Sequence, residues 1–334
     1  MTRREIMKIA GLSLPTLAIP INTIAEYNWM QDTKYFEVII IGGSYAGLST
    51  AMSLGRSLRN VLVIDNGSPC NRQTPHSHNF ITQDGVPPFR IAQKAKSEVL
   101  KYKTIKFLED KAVRGEKIKD SFLIHTSSGQ QIIAKKLVFA TGIKDVMPSV
   151  PGFAGCWGIT VVHCPYCHGY EFRDKVTGVL ANGERAFQLA AMVNNLTQHL
   201  TVLTNGKSTF TAEQLKIIES MNINIIESKV AKINHENGFV RNVLFDDGAS
   251  KSFEALYAGI PFTQHSDIPK LLGCELTELG HIKVDNTQKT TVDGIYACGD
   301  NSTMMRSIAN AVFSGNLTGA MINKELIIEQ FKKT

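Results

Sequence analysis

The chain has 334 residues, of which 43% are hydrophobic and 20% charged, with a formal net charge of +6. That length and balance suit two globular domains, each with its own core, and exclude a disordered chain. The positive charge is scattered, with no dense Lys/Arg run interleaved with aromatics, so no nucleic-acid partner is expected.

The first 34 residues open with Arg3 and Arg4, then Ile6, Met7 and Lys8, then a mildly apolar run from Ile9 to about Ile24. Pro15, Pro20 and Asn22 interrupt that run, so it is too broken for a membrane span of about 20 apolar residues. Two readings stand. It is a twin-arginine export signal with Ala25 near a cleavage point, or an N-terminal arm on a cytoplasmic protein. Localisation stays open between the cytoplasm and, by export, the periplasm.

Phe36 to Ile41 (FEVIII) is a continuous β-rich apolar run, the pattern of a buried parallel strand. It leads into GGSYAGLSTAM. Gly42 permits a tight turn, Gly47 lets the next helix pack closely on the sheet, and free N–H groups at the helix start suit a pyrophosphate. Ser44 stands where the central glycine of Gly-x-Gly-x-x-Gly is usual. Asn60 to Asp65 (NVLVID) is a second strand, ending in a carboxylate about 20 residues on, where a ribose-binding acid belongs. Arg56 and Arg59 between them read as solvated helix charges.

Leu137 to Ile143 (LVFATGI) is a further buried strand, closing on Thr141 and Gly142. The stretch HCPYCHGYE follows at 163–171, with Cys164 and Cys167 two residues apart and His168 next. Taken alone, that pattern fits a c-type haem, half a zinc site or a redox dithiol. No second Cys-x-x-Cys follows, so no metal site is expected. The other four cysteines, Cys70, Cys156, Cys274 and Cys298, read as buried small hydrophobes. Towards the C-terminus, GIYACGDNS is a short strand ending in Gly299 and Asp300.

Together these segments resemble the pyridine-nucleotide disulfide oxidoreductases, in their thioredoxin-reductase-like branch, from about Phe36 to about Leu326. The Cys-Pro-x-Cys-His form is most similar to a sub-branch with the dithiol oxidases of gliotoxin- and holomycin-type metabolites. The resemblance implies an α/β fold of two Rossmann-like three-layer domains, the second inserted in the first. An FAD domain would span 35–150 and 257–334, and a NAD(P)-binding-like domain carrying the dithiol would span 151–256. Gly42, Gly43, Ser44, Ala46 and Gly47 would line the FAD pyrophosphate, with Asp65 on the adenosine ribose. Thr141, Gly142, Gly299 and Asp300 would border the flavin side. Arg306, Ser307, Ile308 and Ala309 would begin a helix facing the flavin ring. Arg72, His78 and Asn79 fall where the family contacts the flavin, whereas His265 reads as a surface-loop residue.

The resemblance further implies that Cys164 and Cys167 exchange electrons between FAD and a substrate, with His168 replacing the family's aspartate as the acid–base group. Glu171 either orients His168 or is solvated. The second cradle, TGVLANGERAFQLAAMV (Thr177 to Val193), keeps Gly183 but has Ala181 for the first glycine. The arginine pair expected after the next strand is replaced by Lys207 alone, so NADPH or NADH as reductant stays open. Three functions remain: a disulfide reductase acting on a thioredoxin-like protein or small disulfide, a dithiol oxidase using oxygen or another acceptor, and a flavin-binding signalling protein. The resemblance also implies a homodimer.

Overall fold

The computed structural model describes residues 34–332; the twin-arginine reading on Arg3 and Arg4 lies outside the described residues. β1 (Lys34–Ile41), α1 (Tyr45–Arg56), β2 (Val61–Asp65), α2 (Pro88–Val99) and β3 (Ile105–Glu109) come first. β1 pairs in parallel with β2, and β2 with β3. Val38 and Ile40 bury against the helices on one face, and Ile39 and Ile41 bury on the other. Burial on both faces is why the strand is continuously apolar instead of alternating.

β4 (Ala112–Ile118), β5 (Ser121–Thr126) and β6 (Gln131–Phe139) form an antiparallel meander, and β6 returns alongside β1 in parallel. β7 (Ile143–Asp145) then leads out into an inserted lobe. There α3 (Phe153–Cys156), β8 (Val161–Val162), α4 (Pro165–His168), β9 (Thr177–Leu180), α5 (Gly183–Asn194), β10 (Leu200–Leu203), α6 (Ala212–Ser220) and β11 (Asn224–Ile226) follow. β12 (Val230–Glu236), β13 (Phe239–Phe245) and β14 (Ser250–Ser252) make a second meander, and β15 (Ala255–Ala258) rejoins the lobe's sheet. That sheet is parallel throughout, in the order β11-β10-β9-β15-β8.

The domain border placed between residues 256 and 257 therefore falls inside a strand. Ala255, Leu256, Tyr257 and Ala258 are all buried and pair with β9, so the inserted sheet runs on to Ala258 and the chain leaves it at Gly259. β16 (Phe262–Gln264) pairs antiparallel with β7, forming a two-stranded crossing between the lobes. α7 (Ile268–Leu271), β17 (Ile295–Ala297) and α8 (Ile308–Phe331) complete the first lobe, with β17 parallel to β6. Arg59, read as solvated, is buried; its guanidinium bonds Glu37 at 2.9 Å and Asn323 at 2.7 Å, tying β1 to α8.

α1 and α8 pack backbone to backbone. A Cβ on Gly315 would lie 2.2 Å from the Ala46 carbonyl oxygen, and one on Gly319 would lie 2.6 Å from the Ser53 Cβ. The Thr50 hydroxyl donates to the Gly315 carbonyl at 3.0 Å, and Ser49 donates to that of Val312 at 2.7 Å. Gly315→Val should therefore destabilise the flavin-free protein by at least about 2 kcal/mol, as overpacking does in a rigid core. Urea unfolding of the purified variant measures this, and an unchanged midpoint would contradict the packing.

Candidate active site

Where β1 and β6 end side by side, their following segments diverge and open a crevice, the place where open parallel sheets take ligands. Gly42 turns the chain there at φ +108°, and a Cβ on it would lie 2.2 Å from the Ala140 carbonyl oxygen. A Cβ on Gly47 would lie 1.8 Å from the Gly42 carbonyl oxygen, so both glycines are required by close approach. The Gly43 N–H donates to Asp65 Oδ1 at 3.0 Å and the Gly67 N–H to Oδ2 at 3.3 Å, which fixes the carboxylate at the end of β2.

Ser44, Ala46, Thr141 and Gly142 line one side of a cavity above this turn, and Gly299, Asp300, Ser307 and Ile308 line another. The inserted lobe closes it with Trp157, His163, Cys167 and His168. Gly42, Gly43, Gly47 and Asp65 form the floor of the turn beside the cavity. Arg72 and Asn79, expected at the flavin, lie outside the lining: Arg72 is exposed and donates to the Pro69 carbonyl, and the Asn79 N–H is held by Asp84. Ala309 is also outside it, because the turn of α8 presents Ile308 and Ala311 to the cavity. His265, read as a surface-loop residue, lines it, and so does Cys70, read as a buried hydrophobe.

The charged centre of the cavity is Arg306. Its Nη1 and Nη2 bond the two oxygens of Asp145 at 2.9 and 3.1 Å, and Asp145 Oδ2 also accepts from Trp157 Nε1 at 3.1 Å. Arg306 Nε lies 3.7 Å from Asp300 Oδ2 and is buried with no hydrogen-bond partner. Burial pushes the Asp300 carboxyl up to about 6, with Arg306 opposing the rise. The Cys70 thiol, on an exposed residue at the cavity, lies 3.9 Å from the same carboxylate. Asp145, Trp157 and Cys70 were not singled out in the sequence, because no local motif marks them and only the folded chain brings them to the cavity.

The dithiol is asymmetric. Cys167 faces the cavity, and its Sγ donates to Cys164 Sγ at 2.9 Å. That bond, opposed by burial and helped by the backbone N–H groups of Cys167 and Tyr166, brings Cys164 down to about 7. The same bond, with burial, holds Cys167 well above the usual thiol range. Cys164 is thus the thiolate of the pair near neutral pH. His168 is lowered to about 4 by burial and by His78, so it is neutral at pH 7 with a free lone pair. Glu171 sits 3.5 Å from His78 Nδ1, so its carboxylate serves a histidine of the first lobe.

The cradle of the inserted lobe is filled by its own side chains. Asn182 Oδ1 accepts from the Gly183 N–H at 2.8 Å and the Thr209 N–H at 2.9 Å, while its Nδ2 donates to the Lys207 carbonyl at 2.9 Å. Asn182 thus takes the first N–H of the helix start that would hold a pyrophosphate, and Glu184 stands in its first turn. Arg185 lies across Gly259, where a Cβ would come within 2.2 Å of its Nε.

The first cradle, by contrast, fits an FAD. Its glycines leave room for close backbone approach, and two of its lining residues, Arg306 and His163, each have a buried nitrogen, Nε and Nε2, with no hydrogen-bond partner. The sequence profile described as "Pyridine nucleotide-disulphide oxidoreductase" matches residues 36–315. The chain is similar to the thioredoxin reductase tcpT of Claviceps purpurea (strain 20.1), at 31% identity over 90% of this chain and 97% of that one. Among solved structures it is similar to an oxidoreductase from Agrobacterium tumefaciens (TM-score 0.83, 33% identity, 88% of this chain and 99% of that one). It is also similar to a putative thioredoxin reductase TrxB from Bacillus anthracis (TM-score 0.85, 27% identity, 89% and 100%).

Asp300 has a pH signature. Its carboxyl stands at about 6 in the folded protein against an ordinary 3.8, so the folded state holds the proton more tightly. The stability this contributes is complete below about pH 4 and is lost as pH rises through 6. Flavin-free Asp300→Asn should show a flatter stability curve than wild type between pH 4 and 6, measured by thermal melting. Parallel curves would mean that the carboxyl titrates normally.

Proposed function

Because the chain belongs to the pyridine nucleotide-disulphide oxidoreductase family and is an FAD-dependent enzyme of the thioredoxin-reductase-like kind, we propose that Cys164 and Cys167 carry its electron pair between the flavin and a substrate disulfide or dithiol. The observation that supports this most is the division of the pair: Cys167 turned into the flavin cavity, Cys164 beside it and outside the lining. FAD, when bound, supplies a two-electron donor and acceptor. The Cys164 thiolate attacks a substrate disulfide, one sulfur leaves as a thiol, and Cys167 resolves the mixed disulfide. Closing the Cys164–Cys167 bond passes two electrons and two protons to the substrate, which leaves as two thiols. In reverse, a substrate thiolate attacks the Cys164–Cys167 disulfide, its second thiol closes the product disulfide, and both cysteines are left as thiols, with His168 taking or returning a proton at its ring nitrogen. Ser44, Ala46, Gly142, Gly299, Asp300 and Ser307 would hold the cofactor, above the turn made by Gly42, Gly43, Gly47 and Asp65. The partner is a thioredoxin-like protein or a small disulfide, and the working unit is a homodimer.

The filled second cradle favours one direction of flow. With Asn182 taking the first N–H of the helix start and Glu184 in its first turn, this cradle is a poorer anion site than the first. Electrons then enter from a dithiol substrate and leave through the flavin to oxygen or another acceptor, the oxidase reading. Anaerobic titration separates the two: dithiothreitol bleaches the flavin and NADPH does not. Bleaching by stoichiometric NADPH or NADH would restore the reductase direction.

Cys164→Ser and Cys167→Ser should each abolish turnover while FAD stays bound. His168→Ala should slow turnover by about two to four orders of magnitude, the ordinary contribution of a general acid–base group, and His168→Asp should recover part of it. Steady-state rates across neutral pH decide this. Wild-type rates in His168→Ala would remove the proton-transfer role.

A further inference from the structure

Two histidines flank the dithiol. His163 leaves the end of β8 just before Cys164, lines the cavity, and has its ring 6.0 Å from that of Trp157. Its Nε2 is buried with no hydrogen-bond partner. A buried ring nitrogen left unpaired costs free energy, and a leucine of similar size would avoid that cost, so the atom calls for a partner outside the protein. Burial, with the Arg306 charge adding to it, brings His163 down to about 3. The ring is therefore neutral at every working pH, with one N–H and one lone pair, as the ring of His168 is. His163 is suited to hold a group in place.

We propose that His163 is a positioning residue whose Nε2 hydrogen-bonds the ring system of the bound flavin. The isoalloxazine edge carries both N–H donors and carbonyl or ring-nitrogen acceptors, so either tautomer of the imidazole finds a complement. The contact has a geometric consequence. His163, Cys164 and Cys167 belong to one short segment of the inserted lobe, so a bond from His163 to the flavin would fix the placement of the segment that carries the thiols. The contact therefore couples cofactor grip to dithiol placement.

The proposal rests on the reading that this cavity takes FAD. Histidine-labelled ¹⁵N NMR of the wild-type protein tests it, with the His163 signal assigned by its loss in His163→Gln. The Nε2 resonance should move when FAD is added to the flavin-free protein. FAD should bind about tenfold more weakly to His163→Leu and return to within about twofold of wild type in His163→Gln, the scale of one hydrogen bond. An unmoved resonance with FAD bound overturns the contact while leaving the flavin reading intact. Equal loss of affinity in the leucine and glutamine variants overturns it too. A protein that takes up no FAD at all overturns both.

Discussion

The site depends on how closely α1 and α8 approach. Their backbones touch because Gly315 and Gly319 on one helix face Ala46, Thr50 and Ser53 on the other, with serine and threonine hydroxyls bonding across the contact. That approach brings two helix starts, after Ser44 and at Ser307, to one crevice above β1 and β6. One helix start comes from the beginning of the first lobe and the other from its end. A larger residue at the crossing would separate them and widen the cradle on both sides.

Electrostatics then assign the working parts. Arg306 is held by Asp145, which is itself held by Trp157, so one ion pair spans the first lobe, the crossing strand and the inserted lobe. A bidentate pair of this kind fixes direction as well as distance. Around it, burial keeps His163 and His168 neutral, while the Cys167 thiol lowers Cys164.

The parts legible in the sequence were those with a local physical cause. Gly42 and Gly47 stand out because a tight turn and a close helix leave no room for a Cβ, and FEVIII and LVFATGI stand out because burial on both faces demands unbroken apolar runs. Cys164, Cys167 and His168 were marked by spacing alone. What escaped notice depends on distant parts of the chain. Asp145 and Trp157 matter through Arg306, and His265 and Cys70 enter the cavity from loops whose paths no short pattern fixes. Arg72 and Asn79 shared that loop-borne uncertainty and turned outward. The border near residue 256 was missed because ALYA is as apolar as a strand of either lobe. The role of Asn182 could have been suspected, since an asparagine before a helix start is a capping residue.

The insertion has a consequence for biosynthesis. β17 and α8, which complete the first lobe's sheet and the second wall of its cradle, are encoded after the whole inserted lobe. During synthesis the lobe from β8 to β15 can close its own parallel sheet while the first lobe still lacks an edge strand and a helix. The nascent first lobe is then an open half-cradle, with Gly42 and Asp65 in place but nothing opposite them. The second wall of the cradle, with Gly299, Asp300 and Ser307, thus follows the dithiol segment in the chain and is made after it.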